Sequence, residues 1–304
     1  MPEAVISVSG LRKSYGEVEA LRGIDLEVRR GEVFAFLGPN GAGKTTAISI
    51  LEGYLPRDAG AVEVLGEDPA RAGRAWRGRI GLVLQECRME SLLTVRETLT
   101  MFAGYYRRPR SVAETIELVG LGDKADERAG RLSGGQQRRL DVAVALIGDA
   151  ELLFLDEPTT GFDPSARRTA WAVVEGLRDL GKTVMLTTHY MDEAQALADR
   201  VAVIAAGEII AAGTPDDLGG RSRAASLISF DLAPADAAAV RTAVAGEWSQ
   251  ANGRVTLRSG DPTRSLHELT GWALANDVRL GALEVTRPSL EDVYLELIEA
   301  GRRR

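Results

Sequence analysis

The segment of this 304-residue sequence with the most definite chemistry is Gly38-Pro39-Asn40-Gly41-Ala42-Gly43-Lys44-Thr45-Thr46. It satisfies the spacing G-x-x-x-x-G-K-[ST]. Glycines at these positions let backbone N–H groups curl around a polyphosphate without side-chain clash, and a following helix adds its positive dipole end. Lys44 would reach the β- and γ-phosphates, and the Thr45 hydroxyl suits Mg²⁺. A second segment, Leu152-Leu153-Phe154-Leu155-Asp156-Glu157, is an apolar run that delivers two acids. Adjacent residues of a strand point to opposite faces, so the acids take different tasks. Asp156 suits Mg²⁺ through water, and Glu157 suits polarising a water that attacks the γ-phosphate. A third, Ser133-Gly134-Gly135-Gln136, sets a hydroxyl and open backbone amides before a helical pattern over 136–147. It reads as a second anion site or as a plain serine cap, and these four residues alone leave both open.

Buried strands must hold these segments. Val33–Leu37 is a continuous apolar run ending at Gly38, as expected for a strand covered on both faces. Ile80–Leu84, Leu152–Leu155, Val184–Leu186 and Val201–Ala205 read the same way, with helical patterns at 44–54, 136–147, 165–180 and 191–199. Strands alternating with helices imply an α/β domain with a mostly parallel sheet. Ahead of it, residues 4–28 read as short strands with a break at Tyr15-Gly16. Strand signals stop over 86–131, where Thr94-x-x-Glu97 is a capping box and residues 111–119 a second helix, so a helical insertion is expected. A Gly/Asp/Arg-rich stretch at 213–223 marks a boundary, giving domains 1–219 and 220–304. The second reads as a small βαβαβα unit, with strands at 226–232, 254–258 and 278–286 and helices at 234–247 and 263–275. A last helix follows Ser289, with Leu290, Val293, Tyr294, Leu297 and Ile298 on one face.

Composition narrows the field. A hydrophobic fraction of 45% and a charged fraction of 27% are those of a globular protein with a sizeable core. The single cysteine, Cys87, excludes a disulfide scaffold. A net charge of −7, all of it before residue 220, argues against coating nucleic acid. No apolar run reaches the roughly 18 residues of a membrane span.

Two phosphate-type helix starts, with Asp156-Glu157 about twenty residues after the second, resemble the P-loop ATPases of the ATP-binding cassette (ABC) family over roughly residues 4–215. Gly38–Thr46 resembles the family's Walker A loop, 152–157 its Walker B strand, and Leu132–Gln136 its signature sequence. Gln85 resembles the Q-loop glutamine, which meets the metal and γ-phosphate. Gly161-Phe162-Asp163 resembles the D-loop, with Phe162 where leucine is commoner. His189 resembles the switch histidine, and Tyr15 the aromatic that stacks on adenine. The resemblance implies an N-terminal antiparallel β-subdomain and, in the second domain, a small α+β accessory fold. It implies ATP and Mg²⁺ as ligands, with Gln85, Glu157 and His189 as catalytic residues and Thr45, Gln85 and Asp156 at the metal. It also implies a head-to-tail homodimer in which Ser133, Gly134, Gly135 and Gln136 act on the partner's nucleotide and Asp163 spans the interface.

Within the family, the leading segment Val5–Gly16, Leu132–Leu146 and the ending Glu284–Tyr294 are similar to ATPase subunits of bacterial exporters of the daunorubicin-resistance type. Such subunits sit on the cytoplasmic face of the membrane through a separately encoded permease and export drugs, antibiotics, lipids or polysaccharides. The insertion at 86–131 would then receive the permease's coupling helix. The competing expectations are a soluble cassette ATPase acting on ribosome or DNA, and an importer ATPase. One phosphate loop, no heptad run and net acidity weigh against the first, and a C-terminal unit alternating strands with helices weighs against the second.

Overall fold

A computed structural model describes residues 3–84, 90–223, 225–233, 236–251 and 254–302. The chain divides into two compact units, 1–215 with the last five residues and 216–299. In the first, β1 (Ala4–Tyr15) and β2 (Val18–Arg29) form a long antiparallel hairpin turning at Gly16-Glu17, and β4 (Ala59–Val64) pairs antiparallel with the other edge of β1. Alternating burial along β1 and β2 puts Ile6, Val8, Leu11, Leu21, Ile24, Leu26 and Val28 on the inner face. These residues share one apolar cluster with Phe34, Phe36 and Phe154 of the central sheet.

That sheet runs β5 (Ile80–Val83), β6 (Leu152–Asp156), β7 (Thr183–Thr188), β3 (Val33–Leu37), β8 (Arg200–Ala205), β9 (Glu208–Gly213). The first five strands are parallel and β9 is an antiparallel edge. β3 and β7 are buried along their whole length, as strands covered on both faces must be. Around the sheet lie α1 (Lys44–Leu51), α2 (Arg74–Arg77), α5 (Gly134–Leu146), α6 (Pro164–Asp179) and α7 (Met191–Leu197). The region between β5 and α5 is helical in its described part, with α3 (Val95–Ala103), α4 (Val112–Leu118) and two single turns. Thr94 and Glu97 close the capping box that starts α3. Strands β4 and β9 each hold four small or charged residues among six and escape a reading of the sequence. Among the described residues no helix is long and apolar enough to cross a membrane.

The second unit corrects the expected βαβαβα order. Its sheet is four-stranded and antiparallel, β11 (Glu247–Ala251), β12 (Arg254–Ser259), β10 (Ser226–Asp231), β13 (Gly281–Thr286). Helix α8 (Ala237–Ala243) stops short of the expected residue 247, and β11 follows it; α9 (Pro262–Ala275) and α10 (Leu290–Arg302) complete the unit. β11 was missed because Glu-Trp-Ser-Gln-Ala holds one large apolar residue and pairs on one side only. Trp248 supplies its anchor, packing edge-on to Phe230 at 6.2 Å between centroids.

Gly81 sets how closely α5 lies on β5. A methyl group there would overlap the Ala145 carbonyl of α5. Gly81→Ala is therefore expected to push the helix that starts at Gly134 off the sheet, at a cost of about 1–3 kcal/mol. Thermal unfolding checks it: a fall of several degrees is expected, and an unchanged midpoint would show that α5 has room to give.

Candidate functional site

The parallel strands bring their C-terminal ends to one edge, and the chemistry collects there. Leu37 closes β3 opposite Thr188 of β7, and Asp156 closes β6 opposite Thr187. Residues 38–43 leave β3 as a tight loop, with the Ala42 amide donating to the Pro39 carbonyl, and α1 starts at Lys44. Gly43 turns the loop into the helix at φ 109°, where a Cβ would also stand 2.6 Å from the Ala20 carbonyl oxygen. Only glycine meets both conditions. Lys44 is buried, and its Nζ donates to the Gly38 carbonyl at 2.6 Å and the Pro39 carbonyl at 3.1 Å. Burial lowers its pKa, opposed by the nearby charges of Glu157 and Asp156. The ammonium thus sits over the loop facing the acids, while Asn40, Gly41 and Thr45 are exposed.

The two acids are held differently, as their alternation on the strand requires. The Thr187 hydroxyl donates to Asp156 Oδ1, fixing that carboxylate to the sheet. The Glu157 amide donates to the Thr187 carbonyl and lies 3.1 Å from its hydroxyl, and the residue adopts φ 46°. A left-handed conformation is costly for glutamate, so its retention here marks a site where geometry outranks comfort. Glu157 Oε2 accepts from the Thr160 hydroxyl at 2.9 Å, and Oε1 lies 3.3 Å from His189 Nδ1. His189 is half-exposed and packs on Tyr190.

The second helix start lies in a different group of residues. Ser133 accepts from the Gln136 amide and Gln136 accepts from the Ser133 amide, a complete capping box on α5. The serine-cap reading holds, and Ser133 and Gly134 are exposed at this helix start. Gly135 stands beside Phe162 and Ala166. Asp163 caps α6, accepting from the Ser165 and Ala166 amides. Tyr15 is half-exposed at the end of β1, with Lys13 over its ring. Thus Lys44, Asp156, Glu157 and His189 converge, while Gly135 and the Phe162-Asp163 loop gather at the α5 and α6 starts. Gln85 lies outside the described residues.

Several residues escaped a reading of the sequence. Thr187 and Thr160, which hold the acids, looked like ordinary strand and turn residues. Arg138 of α5 donates to the Leu84 and Asp156 carbonyls, tying β5 and β6 to the helix that starts at Ser133. It is buried on α5 beside Asp141, Leu140 and Val142, and nothing in the sequence marked it. Glu52, at the end of α1, is buried, and desolvation with help from the Asp156 charge pushes its pKa up to about 7. It lines a cavity of about 590 Å³ together with Tyr54, Arg77, Leu82, Phe102 and Tyr106.

Asp156 and the exposed Thr45 hydroxyl form an oxygen donor set of the kind Mg²⁺ takes when phosphate oxygens supply the rest. Among the described residues no cluster of three or more His, Cys, Asp and Glu side chains stands ready to hold an ion without them. The donors fit a metal that arrives with its nucleotide.

Comparison with known proteins gives the same picture. Residues 21–160 match the family model described as ABC transporter, and residues 226–289 match that of the ABC transporter domain-containing protein-like C-terminal domain. The chain is 40% identical to Daunorubicin resistance ATP-binding protein DrrA3 of Streptomyces coeruleorubidus, covering 100% of this chain and 98% of that protein. It is 44% identical to Nod factor export ATP-binding protein I of Paraburkholderia xenovorans (strain LB400), over 72% of this chain and 73% of the relative. Among solved structures, cbiO1 from Clostridium perfringens, part of the ABC transporter complex cbiONQ, matches with a TM-score of 0.65 at 28% identity, over 71% of this chain and 90% of that one. The dimeric ATP-binding cassette MJ0796 bound to ADP and Pi matches with a TM-score of 0.61 at 25% identity, over 69% and 98%.

Glu52 makes a pH-dependent prediction. The folded chain holds its proton up to about pH 7 whereas the unfolded value is 4.5, so this group's contribution to stability falls as pH rises through that window. Glu52→Gln removes the titration. In metal- and nucleotide-free protein the variant is expected to match wild type near pH 4.5 and to melt several degrees higher at pH 8. A difference that does not change with pH would contradict the assignment.

Proposed function

Since this chain belongs to the ABC transporter family as an ATP-binding subunit of the exporter type, we propose that it hydrolyses ATP between two head-to-tail copies and so drives export through separately encoded membrane subunits. One observation carries the reading: Glu157 is turned out of its strand and held by Thr160 and His189 beside Lys44, while a second helix start with a complete capping box, Ser133–Gln136, stands in another residue group. A chain with two phosphate-type helix starts and one set of acids makes chemical sense if each start completes a different site.

On nucleotide entry Lys44 exchanges the Gly38 and Pro39 carbonyls for phosphate oxygens, and the loop amides and α1 dipole take the remaining charge. Tyr15 offers an exposed ring to the base. Thr45, Asp156 and Gln85 would hold Mg²⁺, which neutralises charge on the phosphates when bound. Glu157 accepts a proton from the attacking water, and His189 keeps that carboxylate aimed. From the partner, Ser133 and the Gly134 and Gly135 amides reach the γ-phosphate, with Gln136 holding the cap and Asp163 at the seam.

The cavity lined by Tyr54, Phe102 and Tyr106 lies between the end of α1, β5, α3 and α5, so a membrane subunit's coupling helix seated there would touch both the insertion and the strand leading to Gln85. The relatives named for daunorubicin resistance and Nod factor export support a cargo of the drug, antibiotic, lipid or polysaccharide class and a place on the cytoplasmic face of the membrane. None of the relatives reported above is named for work on ribosome or DNA.

Glu157→Gln is expected to bind ATP like wild type, to lose turnover by about 10²-fold or more, and to accumulate as an ATP-bound dimer on size exclusion. Turnover like wild type would remove Glu157 from its role. Reconstituted with its membrane subunits, the wild-type protein is expected to change its ATPase rate and move cargo. An unchanged rate without cargo movement would contradict the export reading.

A further inference from the structure

Glu193, the third residue of α7, is completely buried, and nothing above has used it. A carboxylate out of water is costly unless donors surround it. Two do, from different segments. Glu193 Oε1 accepts from the Thr159 hydroxyl at 2.8 Å, in the loop after β6, and from Trp171 Nε1 at 3.1 Å, on α6. Burial pushes its carboxyl pKa up, opposed by the hydroxyls of Thr188 and Thr159, by Trp171 and by the charge of Arg167. Its other oxygen is buried without a hydrogen-bond partner.

The identity of those donors gives the cluster its meaning. Thr159 precedes Thr160, whose hydroxyl holds Glu157 Oε2, and Glu193 itself follows by four residues His189, which faces Glu157 Oε1. Glu193 therefore grips the neighbour of Thr160 from the helix that follows the His189 turn, joining that turn to the loop after β6. Trp171 ties the same oxygen to α6, the helix that Asp163 caps. A purely space-filling role is poorly served by a buried acid, since an apolar residue of similar size would avoid the desolvation cost.

We propose that Glu193 is a positioning residue for hydrolysis, fixing the loop after β6 and the His189 turn relative to each other so that Glu157 is held in line for the attacking water. It touches neither nucleotide nor metal; it acts through Thr159 and through its place on α7, four residues after His189. The inference rests on the assignment of Glu157 as the group that activates water.

The test compares kcat, ATP affinity and thermal midpoint for Glu193→Ala, Glu193→Gln and Glu157→Gln, and for Glu193→Ala combined with Glu157→Gln. Glu193→Ala is expected to lower kcat by about 10-fold or more while ATP affinity stays within about 2-fold, because Lys44 and its loop lie elsewhere. Glu193→Gln, which keeps an acceptor oxygen for Thr159 and Trp171, should recover most of that loss and secures the test where the alanine variant folds poorly. With Glu157 already replaced, Glu193→Ala should cause no further loss of residual turnover, since the group it positions is gone. Wild-type kcat in Glu193→Ala, a parallel loss of ATP affinity, or a further loss in the combined variant would each overturn the proposal. A Glu157→Gln protein that hydrolyses normally would instead remove the catalytic assignment, so the two failures are distinguishable.

Discussion

Parallel pairing of β7 between β3 and β6 is the constraint from which the site follows. Its register places Leu37 opposite Thr188 and Asp156 opposite Thr187, so the phosphate loop, the acids and the His189 turn begin at one edge. A shift of one residue would point Thr187 away from Asp156 and take its carbonyl and hydroxyl from the Glu157 amide. Complete burial of β3 and β7 makes such a shift expensive, because it would leave Thr183 and Thr187 without their partners in Gly31 and Asp156. Site geometry here is thus a by-product of sheet packing, and the left-handed turn at Glu157 follows directly on a buried strand.

The same logic runs outward into α5. Close packing at Gly81 and the Arg138 bonds to Leu84 and Asp156 fasten this helix to the strands that carry the acids. The helix that presents Ser133 is therefore mechanically joined to the acid strand of its own chain, while the nucleotide it serves is assigned to another copy. In the proposed dimer such an arrangement would let a change at one phosphate site be felt at the next.

Much of this was legible in the sequence because the chemistry is local there. Gly38–Thr46 is one uninterrupted segment, and Val33–Leu37 announces the strand that feeds it. The acids were legible for the same reason, as an apolar run ending in Asp156-Glu157. Long-range partners were not legible. Nothing near Thr187 in sequence says that it will hold residues thirty positions away, and Glu193 sits in an ordinary amphipathic helix start. The accessory unit shows the other limit. β11 is held by pairing with β12 and by one tryptophan, so its sequence lacks the apolar alternation that marks a strand.

The central claim is that a nucleotide site is completed by the helix start of a second copy. Complementation between two inactive proteins tests it most directly: one carrying Glu157→Gln, the other Gly135→Asp, which sets an acid at the anion-binding start of α5. In a mixed dimer with shared sites, one of the two sites has an intact Glu157 from one copy and an intact Gly135 from the other. Mixing the variants is therefore predicted to restore ATP turnover that neither shows alone. If the mixture stays as inactive as its components although mixed dimers form, each copy uses its own Ser133–Gln136 segment, and the account of shared sites is wrong.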